Sequence, residues 1–236
     1  MAEQPVIPED TTNLINGIDS EKALRMLMDY FDQATKIEEK GETKRLKLTD
    51  TITLEDGTNI QALKLLSRLK RPLLLDMDNV LLDEEKRLNP DAKEAFQILE
   101  YGDVSIIIVT TSIRDHTKIR DQLTKAEINS NYIILTMDQW QESIPGVQEI
   151  ADSTGKQIRA MRKDLDGLFP QIDKLPIIDD SSQVSLLREG SRMYPLVLEP
   201  FTDDSFGDDG SNYVGERLTL LEAVARVNAL YGNPES

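Results

Sequence analysis

The pattern of apolar positions changes near residue 70. Before that point, residues 20–41 carry apolar side chains three or four positions apart, which is typical of a helix that Gly41 can end. Residues 43–60 alternate apolar and polar positions and include an Asp-Gly pair, which predicts one or two short strands and a turn. A short amphipathic helix follows over 59–70. We therefore treat residues 1–70 as an N-terminal extension with its own helical and strand elements.

Beyond residue 70, the chain alternates continuous apolar runs with helical patterns. The predicted strands are 73–77, 104–110, 132–136, 175–179 and 195–198, and the predicted helices are 89–102, 114–127, 147–165 and 216–232. Continuously apolar strands separated by helices favour a parallel sheet that is covered on both faces. The sequence thus predicts an α/β domain over 71–236, with a Rossmann-like, parallel, five-stranded sheet and helices on both faces.

Polar side chains follow three of these apolar runs at the point where each run ends. Asp76 and Asp78 end the first run, Thr110 ends the second, and Asp179 and Asp180 end the fourth. Ligands of open α/β sheets bind beyond the carboxyl ends of the strands, near a topological switch point. If the three strands are neighbours, two pairs of carboxylates and a hydroxyl group converge there.

Four acids packed together would repel one another strongly, and a hard cation resolves that conflict. Mg²⁺ prefers oxygen ligands and is commonly held by one or two carboxylates together with a substrate phosphate. Phosphoryl transfer is the leading chemistry for such a site. In that reaction Asp76 would be the nucleophile and Asp78 the general acid and base, while the Thr110 hydroxyl and a lysine would hold phosphate oxygens.

Composition narrows the classes of partner and compartment. The net charge of −16 and the pI of about 4.5 repel nucleic acid and anionic membranes, although a bound metal can reverse the field locally. The chain has no cysteine, which excludes disulfides and thiolate chemistry. The first residues lack the apolar core of a secretory signal peptide. No apolar run approaches the roughly 20 residues of a membrane span. We expect a cytoplasmic protein without nucleic-acid or membrane partners.

At these strand ends the chain resembles the haloacid dehalogenase (HAD) superfamily. The stretch LLLDMDNVLLD (73–83) is similar to its first motif, IIIVTTS (106–112) to its second and LPIIDDS (175–181) to its fourth. The KDL stretch at 163–165 and the two later motifs look like the branch of C-terminal-domain phosphatases. Asn79 and Val80 depart from that branch, which has Glu and Thr there, and the departure weakens an assignment to phosphoprotein substrates.

The resemblance implies roles for individual residues. It assigns phosphate binding to Thr110, Thr111 and Lys163, with Lys156 as the competing lysine. It implies that Asp180, Asp76 and the backbone carbonyl of Asp78 bind Mg²⁺, and that Asp179 lies beside them or holds Lys163. The predicted metal side is therefore Asp76, Asp78, Asp179 and Asp180.

The spacing of the motifs bears on the substrate. Only 31 residues separate Asp78 from Thr110, and 26 separate Thr136 from Lys163, which leaves no room for a cap domain. We therefore expect a capless, open site that suits a bulky phosphorylated substrate, unless residues 1–70 or a second subunit cover it. The alternatives are a small-molecule phosphatase acting on nucleotides or sugar phosphates, and a catalytically silent binding or scaffold protein. Residues 1–70 are also the predicted surface for a homo-oligomer.

Overall fold

The structure is a computed structural model that describes most residues of the predicted strands and helices. The described residues are 17–39, 47–54, 57, 59–83, 85, 87–110, 116–136, 139, 150–151, 157–158, 165–180, 190–199 and 216–232. None of the helices within these ranges combines the length and the apolar character that crossing a membrane requires.

The described residues form five α-helices, nine strands and one 3₁₀ helix. In order they are α1 Ser20–Glu39, β1 Thr51–Thr53, β2 Asn59–Gln61, α2 Ala62–Leu66, β3 Pro72–Asp76, α3 Ala92–Tyr101, β4 Ser105–Thr110, α4 His116–Lys125, β5 Tyr132–Thr136, β6 Ile150–Ala151, β7 Gln157–Ile158, a 3₁₀ helix Leu165–Leu168, β8 Leu175–Asp179, β9 Met193–Val197 and α5 Leu220–Tyr231.

Five of the strands form one parallel sheet, which confirms the predicted α/β class. The strand order is β5-β4-β3-β8-β9, and every neighbouring pair is parallel. The strands β3, β4, β5 and β8 are buried along their whole length, because helices and loops cover the sheet on both sides. That burial explains why these strands read as continuous rather than alternating apolar runs.

The strand order reverses direction next to the central strand β3. From β3 the chain adds β4 and then β5 on one side, and it then crosses to the other side of β3 to add β8 and β9. Leu75 pairs with Ile178, so the next residues, Asp76 and Asp179, lie level with each other at the carboxyl ends of β3 and β8. A reversal of this kind opens a crevice between the two strand ends, where ligands of such sheets bind.

Helices pack on one face of the sheet through apolar residues at helical spacing. Leu73, Leu75 and Ile108 point to this face, which shares one apolar core with α3 and α5. The buried helical residues recur three and four positions apart, and they are Ala92, Ala95, Phe96 and Leu99 of α3 and Leu220, Ala223, Val224 and Val227 of α5. The two helices bury the stripe that their sequences predict.

The N-terminal segment covers the opposite face. Residues of α1, including Leu27 and Phe31, are fully buried in one apolar core with Leu74, Ile107 and Ile133 of the sheet. Two short strands were among the predicted alternatives for this stretch; β1 and β2 form an antiparallel pair, and Gly57 between them has the left-handed φ of +82°. The boundary at residue 70 stays a prediction, but residues on both sides of it build the same core.

The predicted helix over 147–165 is wrong where the structure describes it. Ile150–Ala151 and Gln157–Ile158 instead form a short antiparallel strand pair, and a 3₁₀ helix begins at Leu165. The apolar spacing in this stretch fits a helix, but the Ser, Thr and Gly at 153–155 have low helix propensity. Ile150 pairs in register with Ile158, and β-branched residues favour strands.

Candidate metal centre

Three aspartates meet at the crevice between β3 and β8. Asp76 ends β3, Asp179 ends β8, and Asp180 follows directly. One carboxylate oxygen from each of the three lies within 4.8 Å of the others. Asp76 is 7% exposed and Asp179 is 1% exposed, whereas Asp180 is half-buried. The sequence predicted that these three acids converge, and β3 is indeed the neighbour of both β4 and β8.

Two neutral groups among the described residues donate hydrogen bonds to this cluster. The backbone N–H of Met77 donates to Asp76 Oδ1 at 2.9 Å, and Asn79 Nδ2 donates to Asp180 Oδ2 at 2.9 Å. Buried like charges at this separation repel strongly, and neutral donors relieve only part of that repulsion. The donor set consists of hard oxygen ligands, which fits a cation such as Mg²⁺ better than a soft metal.

Asp78 sits on a tight turn that starts directly after β3. The carbonyl of Met77 accepts from the backbone N–H groups of Leu81 at 3.0 Å and Leu82 at 2.9 Å, and Asn79 N–H donates to the Leu82 carbonyl at 2.6 Å. The turn leaves Asp78 half-buried, two residues past Asp76. Its carboxylate is not one of the three that cluster among the described residues. The metal-binding role implied for Asp78 concerns its backbone carbonyl and stays a prediction.

The chain after this turn is held by a buried polar group that the sequence analysis missed. Asp83 is 2% exposed and accepts from the backbone N–H of Arg87 at 2.7 Å and from Arg87 Nε at 2.6 Å. Burial alone raises the pKa of Asp83, but the hydrogen bonds and the charge of Arg87 outweigh burial and lower the pKa below its ordinary value. Asn89, which is also buried, donates from Nδ2 to the Val80 carbonyl at 3.0 Å. These bonds fix the loop that carries Asp78.

Buried polar residues continue the carboxyl edge of the sheet toward β5. Thr110 ends β4, is fully buried, and pairs in register with Thr136 at the end of β5. Gln139 Oε1 accepts from the backbone N–H of Thr136 at 3.0 Å. The rule that polar residues at strand ends mark the site identified Thr110, and the same rule applied to β5 would have found Thr136. Gln139 has no comparable sequence signal, because its contact depends on how the chain leaves β5.

Several predicted site residues lie outside the described residues. They are Thr111 and Lys163, together with the competing Lys156. Their roles in phosphate binding stay predictions. The described part of the site therefore consists of Asp76, Asp78, Thr110, Asp179 and Asp180.

Comparison with known proteins adds no family assignment. No protein-family model matches the chain, and no curated protein matches it with significant similarity. Function is therefore inferred from the motifs and from the geometry at the carboxyl edge of the sheet.

Proposed function

We propose that the protein is a capless HAD-type phosphatase, a Mg²⁺-dependent phosphomonoester hydrolase that acts in the cytoplasm through an aspartyl-phosphate. The observation that carries the proposal is the group formed by Asp76, Asp179 and Asp180 at the switch-point crevice. Asp78 follows Asp76 by two residues on a fixed turn, as a nucleophile and a proton shuttle require. A scaffold protein would have no use for the second carboxylate.

The three clustered carboxylates would hold the cation, with the backbone carbonyl of Asp78 as a further oxygen ligand. When bound, Mg²⁺ would offset the negative charge of the carboxylates and of the substrate phosphate, so that an anionic nucleophile can approach phosphorus. With that neutralisation, a chain of net charge −16 could still accept a phosphorylated substrate.

In the first step, a carboxylate oxygen of Asp76 attacks phosphorus and forms the new P–O bond as the bond to the leaving oxygen breaks. Asp78 gives its proton to that leaving oxygen. In the second step, Asp78 takes a proton from water, the water oxygen bonds to phosphorus, and the Asp76–phosphorus bond breaks. Inorganic phosphate leaves, and both carboxyl groups return to their starting states. Thr110, Thr111 and Lys163 would hold the oxygens of the transferring phosphoryl group.

The substrate proposal is a bulky phosphorylated molecule, such as a protein. Between Asp78 and Thr110 the described residues hold only the turn, its loop, helix α3 and strand β4, which is consistent with an uncapped site. Small phosphorylated metabolites are the alternative. A screen of phosphopeptides against nucleotides and sugar phosphates separates the two, because an uncapped site should favour the larger substrates.

The decisive experiment measures hydrolysis of p-nitrophenyl phosphate with and without Mg²⁺. Asp76→Asn should lower Mg²⁺-dependent kcat by at least about 1,000-fold, since it removes the nucleophile. Asp78→Asn should lower steady-state kcat by about 100- to 10,000-fold. The nitrophenolate leaves without needing a proton, so Asp78→Asn should also give a burst of about one equivalent before the slow phase.

Asp103→Asn is the matched control, because Asp103 is an exposed acid that precedes β4 at the opposite edge of the sheet. It should leave the rate unchanged. Turnover that survives in Asp76→Asn would refute the assigned nucleophile. Absence of turnover in the wild type on every phosphate ester of the screen, with the protein folded, would favour the scaffold alternative.

A further inference from the structure

The backbone of Asn79 has a conformation that its neighbours in sequence do not explain. Three residues other than glycine have positive φ among the described residues, namely Asn79 at 60°, Asp103 at 54° and Glu127 at 59°. Asp103 and Glu127 each follow a helix, where the next residue donates back to the last turn, from Val104 to Leu99 and from Ile128 to Leu123. A left-handed residue is ordinary at such helix ends.

Asn79 does not end a helix. It follows the predicted acid and base Asp78, in the turn between β3 and the loop that Asp83 holds. Asparagine tolerates the left-handed region better than most residues but still adopts it at some cost. Strained conformations of this kind persist where the surroundings enforce them, and they are common at functional sites.

The left-handed turn directs the Asn79 amide across the crevice. Its Nδ2 donates to Asp180 Oδ2 at 2.9 Å, so the bond joins two residues that are 101 positions apart. It connects the turn after β3 to the residue after β8, the two strands that border the crevice. The backbone N–H of Asn79 is occupied separately, by the Leu82 carbonyl.

The neutral amide of Asn79 is suited to orienting a carboxylate that binds a metal. An ionised carboxylate at position 79 could not donate a hydrogen bond to Asp180, because it has only acceptor atoms. A lysine would neutralise Asp180 and compete with a cation for it. A neutral N–H donor restrains the carboxylate and leaves its charge in place, which is how outer-shell partners orient metal ligands.

We propose that Asn79 is a positioning residue that orients Asp180 for the divalent cation. The inference rests on the proposed function, because it assumes that Asp180 is a metal ligand. Asp180 is half-buried and lies past the end of β8, so its side chain would have more rotamers to choose from without the bond. Mg²⁺ would then bind a less restrained carboxylate.

The test compares Mg²⁺ binding by the full-length wild type and by Asn79→Gly. Glycine adopts a φ of 60° without strain, so the turn should survive while the amide is lost. We expect the Mg²⁺ dissociation constant, measured by calorimetric titration, to rise about 10-fold or more. The kcat for p-nitrophenyl phosphate at saturating Mg²⁺ should stay within about threefold of the wild type, because the bond acts on metal affinity.

Asp103→Gly is the matched control, since it also removes a side chain from a left-handed residue but lies outside the site. It should bind Mg²⁺ as the wild type does. The titration is run well below the thermal midpoint of Asn79→Gly, so that folded variant is compared with folded wild type.

Three outcomes decide the matter. Weaker Mg²⁺ binding by the variant at position 79 alone supports the inference. Equal binding by the wild type and that variant overturns the inference and leaves the proposed function standing. A wild type that does not bind Mg²⁺ at millimolar concentration overturns the proposed metal site, and the role of Asn79 with it.

Discussion

The strongest prediction of the metal centre is that removing a carboxylate stabilises the metal-free protein. Asp179→Asn is the perturbation, since asparagine keeps the size of the side chain and removes its charge. Asp179 is buried and lies within 4.8 Å of both Asp76 and Asp180 at their carboxylate oxygens. Without a cation, the substitution removes two of the three repulsive pairs.

The geometry sets the scale of the effect. Two unit charges about 5 Å apart repel by about 3 kcal/mol at an effective dielectric constant of about 20. Water reaches the half-buried Asp180, and Asp76 and Asp180 each accept a hydrogen bond, so most of this repulsion is screened. We expect a net gain of about 2 kcal/mol, which for a chain of this size raises Tm by about 4–8 °C.

Saturating Mg²⁺ should make the Tm of the wild type higher than that of Asp179→Asn. At 100 times its dissociation constant, a ligand that binds only the folded state stabilises it by about 2.7 kcal/mol. The wild type should therefore gain about 5–11 °C in Tm with saturating Mg²⁺, whereas Asp179→Asn should gain little.

The assay is thermal unfolding with and without MgCl₂ at constant ionic strength, since salt screens the charges as well. The chain has a net charge of −16, so removing any acid relieves some general repulsion. Asp103→Asn measures how much stability comes from relieving this general repulsion. The reasoning is refuted if Asp179→Asn is less stable than the wild type without Mg²⁺, or if its response to Mg²⁺ equals that of the wild type.

Two further predictions concern the fold around the site. Leu27→Ala in α1 should lower the free energy of unfolding by about 2–5 kcal/mol in a single urea transition, because Leu27 is fully buried against the sheet. The exposed Arg25→Ala should cost less than about 0.5 kcal/mol, and two separate transitions would contradict a shared core. The lowered pKa of Asp83 stabilises the fold above the ordinary carboxyl pKa near 4, and this contribution is lost as the pH falls further. Arg87→Ala should therefore be less stable than the wild type at pH 6, with a gap that narrows below about pH 4, and a gap independent of pH would contradict the assigned partner.

The sheet was predictable from sequence because burial on both faces leaves a strong signal. A strand that is covered on both sides needs an apolar side chain at nearly every position, and β3, β4 and β5 have them. The predicted bounds match those of β5 and β8, and they differ from those of β3, β4 and β9 by at most two residues at either end. The prediction for 147–165 failed because apolar spacing alone does not separate a helix from two short strands.

The candidate site was predictable in its composition but not in its contacts. Asp76 and Asp179 stand at strand ends, and the rule that ligands bind at carboxyl ends selects them without knowledge of the strand order. The bond from Asn79 to Asp180 depends on that order and on a left-handed turn, and neither leaves a local pattern. The Asp83–Arg87 pair was missed for a similar reason, since a charged loop usually predicts solvent exposure.

The shared core also determines which experiments can separate a functional role of the N-terminal extension from its role in folding. Leu27 and Phe31 of α1 pack in one cluster with Leu74 and Ile107, which belong to the strands that end at the site. Deleting residues 1–70 would expose that apolar face of the sheet to water, so a loss of activity would report unfolding rather than a role in substrate binding. Exposed positions of α1, such as Arg25, keep the core intact. Substitutions there can test whether the extension mediates self-association while the carboxyl edge of the sheet stays folded.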